Sequence, residues 1–216
     1  MYVKDNMSRN PYTVGLNQSV SEALDIMSAS KIHRLPVVDQ KGKLLGLVTE
    51  SLIASNTPNN SSSLSVFELN YLLNKLQIKD IMVKDPIVIN PDALLEEAAT
   101  LLLENDIGCL PVINDDKQLV GIITHNDIFK AFIDLLGYND NGSRYVVNVE
   151  EDKLGIMEGI ARVCTQNGVS ISNLAVYHTE RGIEVVIITI GEDDISTKLK
   201  DAGYNVTSYK RLHTKG

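Results

Sequence analysis

Apolar and polar positions along this chain follow one pattern twice. Val20, Ala23, Leu24 and Met27 fall at helical spacing, which puts a single apolar stripe on a helix that faces a core. Ser19 stands before that stripe and Glu22 three residues further on, the form of a capping box. Two short apolar runs follow, 35–38 and 44–48, joined by polar Lys41, Gly42 and Lys43. Such runs predict two buried strands and a turn. The second half repeats the order with Leu95, Ala98, Ala99 and Leu102, then apolar runs at 110–113 and 119–123. Each unit therefore reads as an extended segment, an amphipathic helix, two strands and a second helix.

The repetition is also literal. Residues 4–53 align without a gap to residues 79–128, an offset of 75, and fourteen of the fifty positions are identical. They include Met7/Met82, Pro11/Pro86, Ala23/Ala98, Leu35/Leu110, Pro36/Pro111, Gly46/Gly121 and Thr49/Thr124. An internal duplication of this kind governs the fold.

Residues 56–63 form a polar loop, and Val66, Leu69, Leu72, Leu73 and Leu76 then mark a connector helix over 64–77. That helix is expected to pack on the repeats or on a partner subunit. A second polar break at 137–143 ends the duplicated region. Beyond it the pattern predicts a strand at 145–149, a helix at 154–165, strands at 170–177 and 183–190, a helix at 195–202 and a strand at 204–209. That order, βαββαβ, is the ferredoxin-like arrangement. The expected organisation is a first repeat at 1–56, a linker and connector helix at 57–78, a second repeat at 79–136, a linker at 137–143 and a final domain at 144–216. The fold class is α+β.

Composition narrows the function. A formal charge of −8 argues against a general binder of nucleic acid or anionic membrane, because phosphate neutralisation needs clustered Lys and Arg. The most apolar run, 185–190, is far shorter than a membrane span, and the first residues lack the apolar stretch of a secretory signal. Cys109 and Cys164 are the two cysteines, far apart in sequence, which suits buried thiols in a reducing cytoplasm. The four His residues are scattered and offer no metal-ligand spacing. No nucleophile set, paired acids or phosphate-loop glycine pattern stands out, so no catalytic residue, cofactor or metal is expected.

The segments KDIMVKDPIVI, HRLPVVD and GIITHNDIF, in order and at their mutual spacing, resemble a tandem pair of cystathionine-β-synthase-type (CBS) domains, or Bateman module, over roughly residues 1–136. The segment DKLGIMEGIARVCTQNGVSI resembles an ACT domain over the last 70 residues. The combination is similar to the bacterial acetoin-utilisation protein B family of short regulators. The resemblance implies a pseudo-twofold CBS pair with two clefts, each able to hold an adenine nucleotide or adenosine derivative. It also implies a homodimer that regulates an enzyme or other protein.

The family's G-h-h-T-x-x-D motif is complete in the second repeat, with Gly121, Ile123, Thr124, Asn126 and Asp127, whereas the first repeat has Leu52 at the aspartate position. The resemblance implies that Asp127 accepts hydrogen bonds from ribose hydroxyls and that Thr124 joins backbone amides around phosphate. The facing loop is Ile32, His33, Arg34, Leu35 and Pro36 in the first repeat but Ile107, Gly108, Cys109, Leu110 and Pro111 in the second. The expectation is one competent cleft holding AMP, ADP or ATP between Asp127 with Thr124 and His33 with Arg34. Tyr12, Ile32, Pro36, Ile123 and Asn126 would complete it. The other cleft would set Leu52 against Gly108 and Cys109 with no cation. The alternative for Thr124 and Asp127 is helix capping. In the ACT-like part, Asp152, Leu154, Gly155 and Ile156 occupy the loop where that family often binds amino acids. The alternative there is Asp152 as an N-cap and Gly155 as a close-packing glycine.

Overall fold

A computed structural model describes residues 1–57, 66–149, 154–180, 182–191 and 193–212. The chain packs as two compact units, Met1–Ile128 and Phe129–Gly216.

In the first unit, each repeat opens on a single helical turn, α1 (Val3–Asn6) and α5 (Ile78–Ile81). The main helices are α2 (Val20–Ser30) and α6 (Leu95–Glu104). The predicted capping box of α2 is formed, with Glu22 N–H donating to Ser19 Oγ and Ser19 N–H donating to Glu22. Hairpins follow: β2 (Arg34–Val38) with β3 (Leu44–Thr49), and β4 (Cys109–Ile113) with β5 (Leu119–Thr124). Both are antiparallel and carry a bulge at the matching place, Val37/Val38 and Val112/Ile113. Helix α3 (Glu50–Asn56) closes the first motif, and α7 (His125–Leu135) starts at the end of the second and continues past Ile128 into the second unit.

The repeats exchange their leading segments. Strand β1 (Ser8–Arg9) of the first repeat pairs with β5 of the second, and Val83 of the second repeat bridges Leu47 on β3. Val3 N–H donates to the Ala93 carbonyl, and Ile78 N–H donates to the Gln18 carbonyl. These contacts, together with the Tyr2–Leu94 and Ser19–Gln77 bridges, map onto one another under the 75-residue offset applied in opposite senses. That is a pseudo-twofold relation between repeats. The core around α2, with Val20, Ala23, Met27, Leu35, Val37 and Val48, is completed by Ile78 and Ile81 from α5.

The connector helix α4 spans Val66–Lys75. Leu73 and Leu76 pack against the first repeat's core, while Phe67 and Tyr71 are exposed.

The second unit contains β6 (Gly142–Val149), α8 (Ile156–Gln166), β7 (Ile171–Thr179), β8 (Gly182–Ile190), α9 (Ser196–Asp201) and β9 (Asn205–Leu212). Its antiparallel sheet has the order β7-β8-β6-β9. This is the expected βαββαβ arrangement, with the second and third strands on one side and the first and fourth on the other. Alternate residues Tyr145, Val147, Val185 and Ile187 face a core shared with Ile160, Val163, Cys164 and Leu199 from the helices. Strand periodicity of two and helix periodicity of 3.6 supply these faces.

Candidate functional site: a cleft between the repeats

The inner ends of the two hairpins bring Arg34 and Cys109 together, because each residue begins its strand and pairs with the threonine ending the next, Thr49 and Thr124. Arg34 extends over Gly108. A Cβ built on that glycine would lie 2.7 Å from Arg34 Nη1, so the missing side chain makes room for the guanidinium. Burial pushes the Cys109 thiol above its usual range, and the adjacent Arg34 charge and hydrogen bond pull it part of the way back. The thiol therefore stays protonated near neutral pH.

Around this point lies a cavity of about 820 Å³, within the range that holds small molecules. From the first repeat come His33, Arg34, Thr49, Glu50 and Ser51. The second repeat contributes Asp85, Pro86, Ile87, Asp106, Ile107, Gly108 and Cys109. Leu47, Val83 and Ala54 add apolar wall. At the mouth, His33 Nδ1 and Glu50 Oε2 are 2.6 Å apart, both well exposed to solvent, so the pair contributes little stability.

This arrangement corrects one expectation. His33 and Arg34 share a cavity with Gly108 and Cys109, so the cleft on the Leu52 side does contain a cation. The physical reason is local: Arg34 begins a strand beside the pseudo-twofold axis, and Gly108 lets its long side chain cross. Loop composition alone does not report that reach.

The remaining expected residues sit elsewhere. Thr124 immediately precedes α7, and both its N–H and its Oγ1 donate to Asp127 Oδ2, at 2.9 and 2.8 Å. Of the capping alternative, the first-turn acid is therefore in place: Asp127 turns back to accept from the residue before the helix. In the first repeat Leu52 cannot reciprocate, and its N–H donates to Thr49 Oγ1 at 3.1 Å instead. Tyr12 is 60% exposed, whereas Ile123 is fully buried and Pro36 is buried in β2. Ile32 packs against the first repeat's core. None of these residues lines the cavity, nor does Asn126. The 75-residue offset, however, makes Tyr12, Ile32, Thr124 and Asn126 the counterparts of the lining residues Ile87, Ile107, Thr49 and Ser51.

In the second unit, Asp152 lies outside the described residues. Gly155 is itself the N-cap of α8 at φ +93°, and the space where its Cβ would sit is open. The glycine is there for its backbone angle and not for close packing, a second correction. Leu154 beside it is fully exposed, and Ile156 packs against the sheet core. Among the described residues no group of three or more His, Cys, Asp or Glu could hold a metal ion, and no helix is long and apolar enough to cross a membrane.

Comparison with known proteins bears on the first unit. The plant CBS-pair protein CBSX2 of Arabidopsis thaliana, solved with AMP, is 33% identical with a TM-score of 0.51. It covers 62% of this chain and 97% of its own. The CBS domain pair of protein MJ0100, solved with 5′-methylthioadenosine and S-adenosyl-L-methionine, is 32% identical with a TM-score of 0.51, covering 61% and 99%. A proposed acetoin utilization protein from Vibrio cholerae is 35% identical with a TM-score of 0.52, covering 63% and 93%. The CBS domain profile matches residues 3–56 and 78–134. With two matched repeats, a pseudo-twofold exchange between them and a cavity at their junction, this chain belongs to the CBS domain family.

Proposed function

We propose that the protein is a non-catalytic regulatory sensor that binds an adenine nucleotide between its CBS repeats and transmits the binding to a partner protein. The observation that carries this reading is the pseudo-twofold junction of the repeats, one side of which opens a cavity of about 820 Å³, in a chain 33% identical, over 62% of its length, to a CBS pair solved with AMP. We assign the nucleotide to the pseudo-twofold counterpart of that cavity, formed by Tyr12, Ile32, Thr124, Asn126 and Asp127. Asp127 there would accept from ribose hydroxyls through Oδ1, since Oδ2 is engaged by Thr124. Binding alters the partner only in so far as the ligand favours one conformational state over another.

Calorimetry with AMP tests the assignment. Asp127→Ala should lose about 1.5–3 kcal/mol, roughly ten- to hundredfold in affinity, as for hydrogen bonds to charged groups. Leu52→Ala should leave AMP affinity unchanged. Undiminished binding in the Asp127 variant removes the assignment.

A second reading concerns the second unit. Its βαββαβ order and the DKLGIMEGIARVCTQNGVSI segment support an ACT domain that responds to an amino acid. The fully exposed Leu154 at the start of α8 is the specific observation in favour of a partner or ligand there. The edge strand β7 carries no Asp, Glu, Lys or Arg and exposes Leu174, Val176 and Tyr177. Edges of that kind invite strand pairing with another chain, which supports a homodimer. In a thermal-shift screen, stabilisation by amino acids that survives Arg34→Ala would favour this reading.

A further inference from the structure

Helix α7 belongs to both units, since the boundary between them falls just after Ile128, inside the helix. Its start carries the Thr124–Asp127 turn, in which Asp127 Oδ2 accepts from Thr124 N–H and Oγ1. Its end is closed by a different device. Gly137 takes a φ of +64°, its N–H donates to the Asp134 carbonyl, and Tyr138 N–H donates to the Ile133 carbonyl. Those two bonds make a Schellman closure, which favours glycine at the left-handed position. The Leu135 carbonyl, a helix-end acceptor outside that closure, accepts from Asn173 Nδ2 on β7.

The seat for Asn173 is specific. A Cβ on Gly137 would lie 2.6 Å from Asn173 Oδ1, so the glycine supplies both the backbone angle and the space. The pairing of β7 with β8 shifts register between Ile171 and Asn173, and such irregularities re-aim a side chain. Here the re-aimed side chain reaches the end of α7. Strand β7 is outermost in its sheet, the place where pairing with another chain occurs.

We propose that Asn173 is a latch between α7 and β7, and that engagement of Asp127 by a nucleotide releases it. The inference rests on reading Asp127 as the ribose contact. A helix of eleven residues is about 16 Å long and moves as one body. A ribose drawing on Asp127 pulls against its two Thr124 bonds, and the first turn shifts with it. About 1 Å of movement at the far end is enough, because an N–H···O bond holds only over roughly 2.7–3.2 Å. The latch thus has two states, and the ligand biases them through its unequal affinity for each. What changes is the register of β7, on which strand pairing at that edge depends.

Hydrogen exchange on the full chain, with and without AMP, tests the latch. Bound AMP should speed exchange about threefold or more in peptides covering residues 136–140 and 170–175. Asn173→Asp keeps the side-chain shape but replaces the donor by an acceptor facing a carbonyl. Gly137→Ala displaces the Asn173 amide from the other side. Each variant should show the fast exchange without AMP and gain none on its addition. By reciprocity, each should bind AMP about two- to tenfold more tightly in calorimetry, since the ligand no longer has to break one hydrogen bond. A helix cap of purely structural role would lower stability and leave AMP affinity at the wild-type value. AMP bound to the wild type without faster exchange in these peptides overturns this inference alone, as does unchanged AMP affinity in both variants. Failure of AMP to bind the wild type overturns the sensor reading together with it.

Discussion

Gly46 and Gly121 lie on β3 and β5, where the leading segment of the opposite repeat crosses. A Cβ on Gly46 would come within 2.6 Å of the Val83 carbonyl and 2.7 Å of Met82 Sδ. On Gly121 it would strike Met7 Sδ and lie 3.0 Å from the Ser8 carbonyl. Two of the identities between repeats, the glycines and Met7/Met82, are therefore the two sides of one contact made twice. Gly46→Ala should destabilise the first unit by about 1–3 kcal/mol, the usual cost of overpacking against backbone that cannot withdraw. Urea unfolding would measure it, and a change below the error of extrapolation would contradict the packing argument. Tyr145 sets a second prediction at this scale. Its buried hydroxyl donates to the Asp193 carbonyl at 2.9 Å and accepts from Ile195 N–H at 3.1 Å. Tyr145→Phe should cost about 1–3 kcal/mol by stranding those groups. Burial raises the Tyr145 pKa above its ordinary value. Its stability contribution is thus complete below about pH 10, the unfolded value, and declines as pH rises toward the folded value. Alkaline melting curves of the two proteins should show that decline in the wild type and its loss in the variant.

At the scale of elements, the four-residue turns α1 and α5 matter more than their length suggests. An isolated turn of that size has no intrinsic stability; each is held by docking onto the other repeat, through Val3 on one side and Ile78 on the other, both fully buried. Val3→Ala should therefore destabilise by about 1–3 kcal/mol, and the protection lost should be at α6 and β5, remote in sequence, rather than at α2. Hydrogen exchange would locate the loss; protection lost first in α2 and β2 would mean that the exchange is energetically unimportant. Helices α2 and α6, the four strands of the hairpins and the βαββαβ order were legible because each shows its own apolar periodicity. The short turns were not, since four residues contain no period to read.

At the scale of the molecule, duplication provides two backbone frames of one geometry, and the side chains they carry at the repeat junction have diverged. Capping shows the same divergence: Asp127 closes on Thr124, whereas Leu52 leaves Thr49 to accept from a backbone amide. The duplication, the place and order of the hairpin strands and main helices, the missing acid at position 52 and the net negative charge all follow from the order of residues, because each is a local or compositional property. Which side chains share a cavity does not. Arg34 enters the space of Gly108 and Cys109 because two strand starts converge beside a pseudo-twofold axis, and that convergence depends on segments exchanged between repeats 75 residues apart. Contacts of that separation are fixed by packing of the whole unit, which only the tertiary structure contains.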